Sequence, residues 1–137
     1  MQLRRSLPLR RPSMTFIPLS PSKDPSHYQL TTTDARFYYI RSIFHDFQDD
    51  KCHSILSNIV PAMGKGSAIL IDEKIFPDFN VNWKMSQIDI SMMACFASIE
   101  RTEAMWGALL DSVGLKVVRK YLYQPEFYDG VLVVERK

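Results

Sequence analysis

The period of the apolar positions changes several times along the chain, and each change marks an element. From Ala35 the run ARFYYI is short, aromatic and aliphatic, the composition of a buried strand. Beyond it Cys52, Ile55, Leu56, Ile59 and Val60 fall on one helical face, and Asp49 or Asp50 suits the N-cap. Pro61 and the turn Gly64-Lys65-Gly66 end that helix. SAILIDEKI then predicts a second buried strand, closed by Pro77. Strand, helix and strand make a parallel crossover unit, which is right-handed on general grounds. Asn82 opens a methionine-rich helix with Met85, Ile88, Met92 and Phe96 turned inward. Thr102 caps another, with Trp106, Leu109, Leu110 and Val113 on one face and Gly114 as its stop. LKVVRKYLY and GVLVVERK predict two strands, and the loop over 124–129 suits an antiparallel hairpin.

The order β, α, β, α, α, β, β describes an α/β protein whose sheet is parallel at first and antiparallel at its end. It is short for a self-sufficient doubly wound sheet, which carries helices on both faces of roughly five or more strands. Residues 1–34 break the pattern. Pro8, Pro12, Pro18, Pro21 and Pro25 lie there among many serines and threonines, a composition that blocks helix and inner strand alike. Two units are therefore expected: an irregular Pro/Arg-rich arm over 1–34 and an α/β unit over 35–137.

Composition narrows the function classes. With 137 residues, 46% of them apolar, the chain can build one core. The formal charge of +2 is concentrated in residues 1–23, which hold Arg4, Arg5, Arg10, Arg11 and Lys23 and no acid. Setting those aside leaves twelve of the seventeen basic residues against fifteen acidic ones, so the body is mildly acidic and no nucleic-acid partner is expected. Cys52 and Cys95 have neither metal-ligand spacing nor a disulfide framework, which fits a reducing, cytoplasmic compartment without a metal. Cys52 falls on the apolar helix face and reads as buried and inert. No apolar run reaches the roughly 20 residues of a membrane span. The first 30 residues lack a signal-peptide core, and their prolines spoil an amphipathic targeting helix.

The chemistry centres on YYIRSIFHDFQDDKC, where His45-Asp46 stands at a strand-to-helix junction. Taken alone the pair reads as a polar junction. Three stretches in register change that: RSIFHDFQDDKC, GSAILIDEKIFPD and DISMMACFASIERTEAMWGALLDSVGLKVV. Together they resemble the C-terminal part of the catalytic domain of S-adenosylmethionine-dependent O-methyltransferases of the plant caffeate and flavonoid type, in their fungal secondary-metabolite branch. The resemblance covers residues 35–137. It implies part of a class I methyltransferase (Rossmann-like) sheet, with parallel strands ending in an antiparallel hairpin. It implies His45 as the general base that deprotonates the acceptor hydroxyl, Glu73 and Glu100 as the acids that flank and orient it, and Arg41 as a cofactor contact.

The implied roles are chemically coherent. A phenol with a pKa near 10 must lose its proton before its oxygen can displace a sulfonium leaving group, and a histidine near pKa 6.5 suits the task. Carboxylates beside it fix its tautomer and stabilise the imidazolium. Met92, Met93 and Phe96 would supply an adaptable apolar wall for a flat, phenolic or polyketide-like acceptor.

The family's glycine-rich cofactor loop, its ribose-binding acid, its adenine-side segment and its N-terminal dimerisation domain have no counterpart among these 137 residues. The resemblance thus implies the acceptor-side base with little of the S-adenosylmethionine site. Other readings stay open: a truncated, non-catalytic relative that associates with itself or a full-length homologue, or a pericyclase- or dehydratase-like relative on the same scaffold. Residue by residue, Asp46 reads as a loop-ordering group, Glu73 also as a strand-end carboxylate, Glu100 also as a residue before a cap, the Met pair also as core, and Arg41 also as a shield of the strand end.

Overall fold

In a computed structural model, which describes residues 13–16 and 33–137, five strands form one sheet. They are β1 (Met14–Phe16), β2 (Phe37–Arg41), β3 (Ala68–Lys74), β4 (Leu115–Gln124) and β5 (Asp129–Arg136). The spatial order is β1-β2-β3-β5-β4. The first three run parallel, and β5 lies antiparallel to both β3 and β4. The crossover from β2 to β3 passes through α1 (Asp49–Ile59), while α2 (Trp83–Phe96) and α3 (Glu103–Ser112) lie between β3 and β4 in sequence. The expected element order and the terminal hairpin are both present.

Alternation sorts the central strands into two faces. Tyr38 and Ile40 of β2, Ile69 and Ile71 of β3, and Leu132 and Val134 of β5 point into one core. That core is closed by Cys52, Ile55, Leu56 and Ile59 of α1 and by Trp106, Leu109 and Leu110 of α3. On the opposite face Tyr39, Leu70, Val131 and Val133 remain partly exposed. In β4 every residue after Leu115 is exposed.

Three local expectations need correction. The arm is not irregular throughout, because Met14–Phe16 pairs parallel with β2 at the margin of the sheet, where a proline-flanked segment can still form a strand. The rest of that arm, apart from Ser13, Thr33 and Asp34, lies outside the described residues. The N-cap of α1 is Gln48 and makes no side-chain cap bond, while Asp49 and Asp50 occupy the first turn, where a helix N-terminus favours negative charge. In α2, Met85 is the buried residue, and Phe96 is 50% exposed rather than turned inward. Ile88 and Met92 are intermediate. Apolar residues surround α2 on all sides, so a single line of contact with the body leaves most of them outside. Asn82 and Thr102 cap their helices as expected, accepting from Lys84 N and Met105 N.

Candidate active site

The parallel strands deliver the candidate residues to one end of the sheet. After Arg41 the chain turns at Ser42, whose φ of 49° is in the left-handed region. The amides of Ile43 and Phe44 then donate to Glu73 Oε1 at 2.7 and 2.8 Å. Glu73 has followed the alternation of β3 onto the core face and is buried. A single helical turn, Phe44–Asp46, follows. Phe44 anchors it edge-on against Trp106, 5.8 Å between ring centroids, which leaves His45 half-turned to solvent.

Glu100 reaches His45 from the loop before α3. Its carboxylate is buried, and its Oε1 lies 3.2 Å from His45 Nδ1. The Glu100 amide donates to Asp89 Oδ1 of α2 at 2.7 Å, which fixes the approach. A carboxylate against Nδ1 makes that nitrogen the donor, so neutral His45 carries its lone pair on Nε2. The neighbour of Nε2 is Asp46 Oδ1, 3.5 Å away. The bond from Glu100 raises the pKa of His45 above its ordinary value; burial opposes this, and the charges of Glu73, Glu100 and Asp46 reinforce it. Burial also pushes the Glu73 carboxyl up to about 7, against the two backbone amides and the nearby imidazole.

His45, Glu73 and Arg41 line a cleft of about 220 Å³. Glu100 stands behind His45 rather than in the cleft wall. Arg41 extends into solvent, its Nε 3.7 Å from Asp72 Oδ2. Met92, Met93 and Phe96 do not line this cleft. They belong to α2, where Met93 and Phe96 are exposed. The C-terminal end of α2 is nevertheless tied to the His45 segment: Gln48 Nε2 donates to Ala97 O and Ser98 Oγ to Phe47 O, both at 2.9 Å.

Several residues of the cleft carried no signal in the sequence reading. Asp72 sits opposite Glu73 in the alternation of β3 and takes hydrogen bonds from the hydroxyls of Tyr39 and of Tyr123, the latter at 2.7 Å. The Tyr123 bond to Asp72 pushes that phenol up to about 12. Lys74 pairs with Asp129 at 2.7 Å across β3 and β5. The Asp-Glu order within SAILIDEKI, read with period 2, would have assigned the two acids to opposite faces. The tyrosines, brought from β2 and β4, could not be found that way. Among the described residues no cluster of three or more His, Cys, Asp and Glu is placed to hold a metal ion, and no helix is long and apolar enough to cross a membrane.

The cofactor implied by the sequence, S-adenosylmethionine, fits these residues in part. The Arg41 guanidinium suits an anionic end such as a carboxylate. The cleft, however, is smaller than the roughly 300–1,000 Å³ of most small-molecule sites, and its other charged groups are already engaged: Lys74 with Asp129, Asp72 with Arg41 and two tyrosine hydroxyls, and Glu73 with two backbone amides. The described residues therefore accommodate one end of the cofactor and not the whole.

Comparison with known proteins gives this geometry its lineage. The O-methyltransferase domain family matches residues 26–116. The demethylsterigmatocystin 6-O-methyltransferase stcP of Emericella nidulans is 48% identical over 96 residues, covering 70% of this chain and 45% of that protein. The O-methyltransferase ucdC of Aspergillus ustus is 47% identical over 100 residues, covering 72% of this chain and 26% of that protein. Among solved structures, LepI in complex with SAM superposes with a TM-score of 0.78 at 33% identity, over 82% of this chain and 29% of LepI. OxaC in complex with SAH and oxaline gives 0.74 at 32%, over 83% and 29%. The chain thus spans less than half the length of each of these relatives. By the extent of the family match and the strength of these similarities, it belongs to the S-adenosylmethionine-dependent O-methyltransferase domain family.

Proposed function

We propose that residues 35–137 furnish the acceptor side of an O-methyltransferase active site, acting on a hydroxyl of a small phenolic or polyketide-like metabolite. The observation that carries this reading is the pairing of His45 Nδ1 with the buried Glu100 carboxylate, beside a cleft that His45 itself lines. S-adenosylmethionine, when bound, supplies an electrophilic methyl group. His45 Nε2 accepts the proton of the acceptor hydroxyl, and the imidazolium that results is held by Glu100 at Nδ1 and by the nearby charges of Glu73 and Asp46. Glu73 positions the turn through two backbone amides, and Arg41 meets an anionic end of the cofactor. Met92, Met93 and Phe96 lie outside the cleft, on a helix tied to the His45 segment, and would meet only the part of a flat acceptor that extends beyond the cleft.

A hybrid in which residues 35–137 replace the corresponding part of a full-length fungal O-methyltransferase tests this. The hybrid should methylate a phenolic acceptor, and His45→Ala should lower the rate by roughly 10²–10⁴-fold. An unchanged rate in the His45→Ala hybrid would reduce His45 to a structural residue. Product without gain in mass would instead favour a pericyclic rearrangement on the same scaffold. A second reading, association with another copy or a full-length relative without catalysis, is favoured by the exposed apolar side chains of α2: Trp83, Ile90, Met93 and Phe96.

A further inference from the structure

We propose that Arg101 is a positioning residue for His45: its guanidinium locks the turn that carries the histidine, so that the imidazole meets Glu100 through Nδ1 and keeps its lone pair on Nε2. The inference rests on the reading of His45 as the general base and deepens it.

Arg101 is buried, its guanidinium only 1% exposed. A buried cation carries a large desolvation cost unless its donors are met. Here Nη1 donates to Phe44 O at 2.8 Å and Nη2 to Phe47 O at 2.9 Å. Nε and Nη2 both donate to Asp49 Oδ1, at 3.0 and 2.7 Å. Nη2 also reaches Cys52 Sγ at 3.2 Å, and the guanidinium lies 5.5 Å from the Trp106 ring. The Asp49 side chain is 63% exposed, so an ion pair alone could form at the surface. The two backbone carbonyls are what require a guanidinium inside.

Those carbonyls flank His45. The turn is held at its amide end by Glu73, which accepts from Ile43 and Phe44, and at its carbonyl end by Arg101, which donates to Phe44 and Phe47. Arg101 also follows Glu100 directly in sequence, and its own carbonyl accepts from Phe76 N at 3.1 Å beyond the end of β3. One dipeptide therefore fixes both the backbone beneath His45 and the carboxylate beside its ring. A lysine could supply the charge but not the fork, because an ammonium has no planar pair of donors to span two carbonyls.

The test reads the ring itself. In the 137-residue chain, nitrogen NMR of His45 at a pH where it is neutral should show the Nδ1–H tautomer as the major form. Arg101→Lys should shift the balance toward Nε2–H, the form favoured by a free imidazole, while amide spectra confirm that the sheet is folded. Asp49→Asn, which leaves the carbonyl contacts in place, should keep the Nδ1–H form. A merely structural Arg101 would lower the melting temperature without moving the tautomer. A folded Arg101→Lys chain with an unchanged tautomer overturns the proposal. Should that variant not fold, native-state hydrogen exchange on the unsubstituted chain decides: Arg101 Nε–H and Phe47 N–H should exchange through one shared opening. An Nε–H that exchanges like a surface arginine, while the turn amides stay protected, also overturns it. Failure of the general-base reading appears separately, as an unaffected methyl-transfer rate in the His45→Ala hybrid, and leaves the tautomer result standing.

Discussion

At the scale of single residues, the electrostatics of His45 make a signed claim about pH. A general base works only when neutral, so with His45 in the proposed role the rate should fall on the acid side as the imidazole becomes protonated. The bond from Glu100 raises the pKa of His45 above its ordinary 6.5, which moves that acid limb to higher pH. Glu100→Gln removes the charge but keeps an acceptor oxygen. In the hybrid enzyme it should bring the acid limb of the kcat profile back toward about pH 6.5, with a lower plateau because the imidazolium loses its counter-charge. An acid limb that stays in place in Glu100→Gln would assign the shift to Glu73 and Asp46 instead. The core polar pair also shows what a residue-level reading of sequence can and cannot supply. His45 was singled out through motif register, because the His45-Asp46 dipeptide taken alone reads as a polar junction. Glu73 and Glu100 were legible only through motif register, since nothing in their local sequence aims them at His45. Arg101 was not legible, because its partners are backbone carbonyls, which no sequence displays.

At the scale of elements, the strongly periodic segments were read correctly and the doubly apolar one was not. Of the five positions expected on one face of α1, Cys52, Ile55, Leu56 and Ile59 are buried, while Val60 falls in the turn after the helix and is partly buried. In α2 the apolar residues lie on every side, so periodicity could not say which would be inside. The packing of β5 adds a constraint of its own. Gly130 stands opposite Glu73 in the β3–β5 register. A Cβ built there would meet Tyr121 O at 2.6 Å, Leu122 Cδ2 at 2.8 Å and Ile75 Cδ1 at 3.0 Å. The carbonyl belongs to the backbone of β4 and cannot rotate away, so Gly130→Ala must displace one strand from the other. We expect a loss of roughly 1–3 kcal/mol, the usual range for overpacking, measured by urea denaturation. Because β5 borders Glu73, the same variant should disturb the amides of Ile43 and Phe44. A variant as stable as the parent, with those amides unmoved, would mean that the hairpin shifts freely and does not brace the site.

At the scale of the whole molecule, two surfaces stand open among the described residues, and they differ in kind. The edge strand β4 is exposed along nearly all its length, but register shifts at Val117/Arg119 and Leu122/Gln124 interrupt it, and Lys116, Arg119 and Lys120 place charge on it. Such features discourage strand-to-strand association. Helix α2 has no such protection: Trp83, Ile90, Met93 and Phe96 are each at least half exposed. Any association of this chain should therefore run through α2 rather than through the sheet edge. The cofactor side leads to the last prediction. Before a sulfonium methyl can be aimed at an oxygen, the cofactor's carboxylate, ribose and adenine must all be held. Among the described residues Arg41 is placed to meet one of these, and it already leans on Asp72. The cleft is about 220 Å³, and the chain spans less than half the length of the relatives it matches. The 137-residue protein alone should consequently bind S-adenosylmethionine more weakly than micromolar and transfer little methyl to a phenol. Titration calorimetry on the purified chain measures this directly. Micromolar binding with turnover would overturn the expectation and locate the remaining cofactor contacts in residues 1–12 and 17–32 or in a second copy. Loss of that binding on dilution, or on replacing Trp83 and Ile90 with polar residues, would then distinguish the second copy from the first possibility.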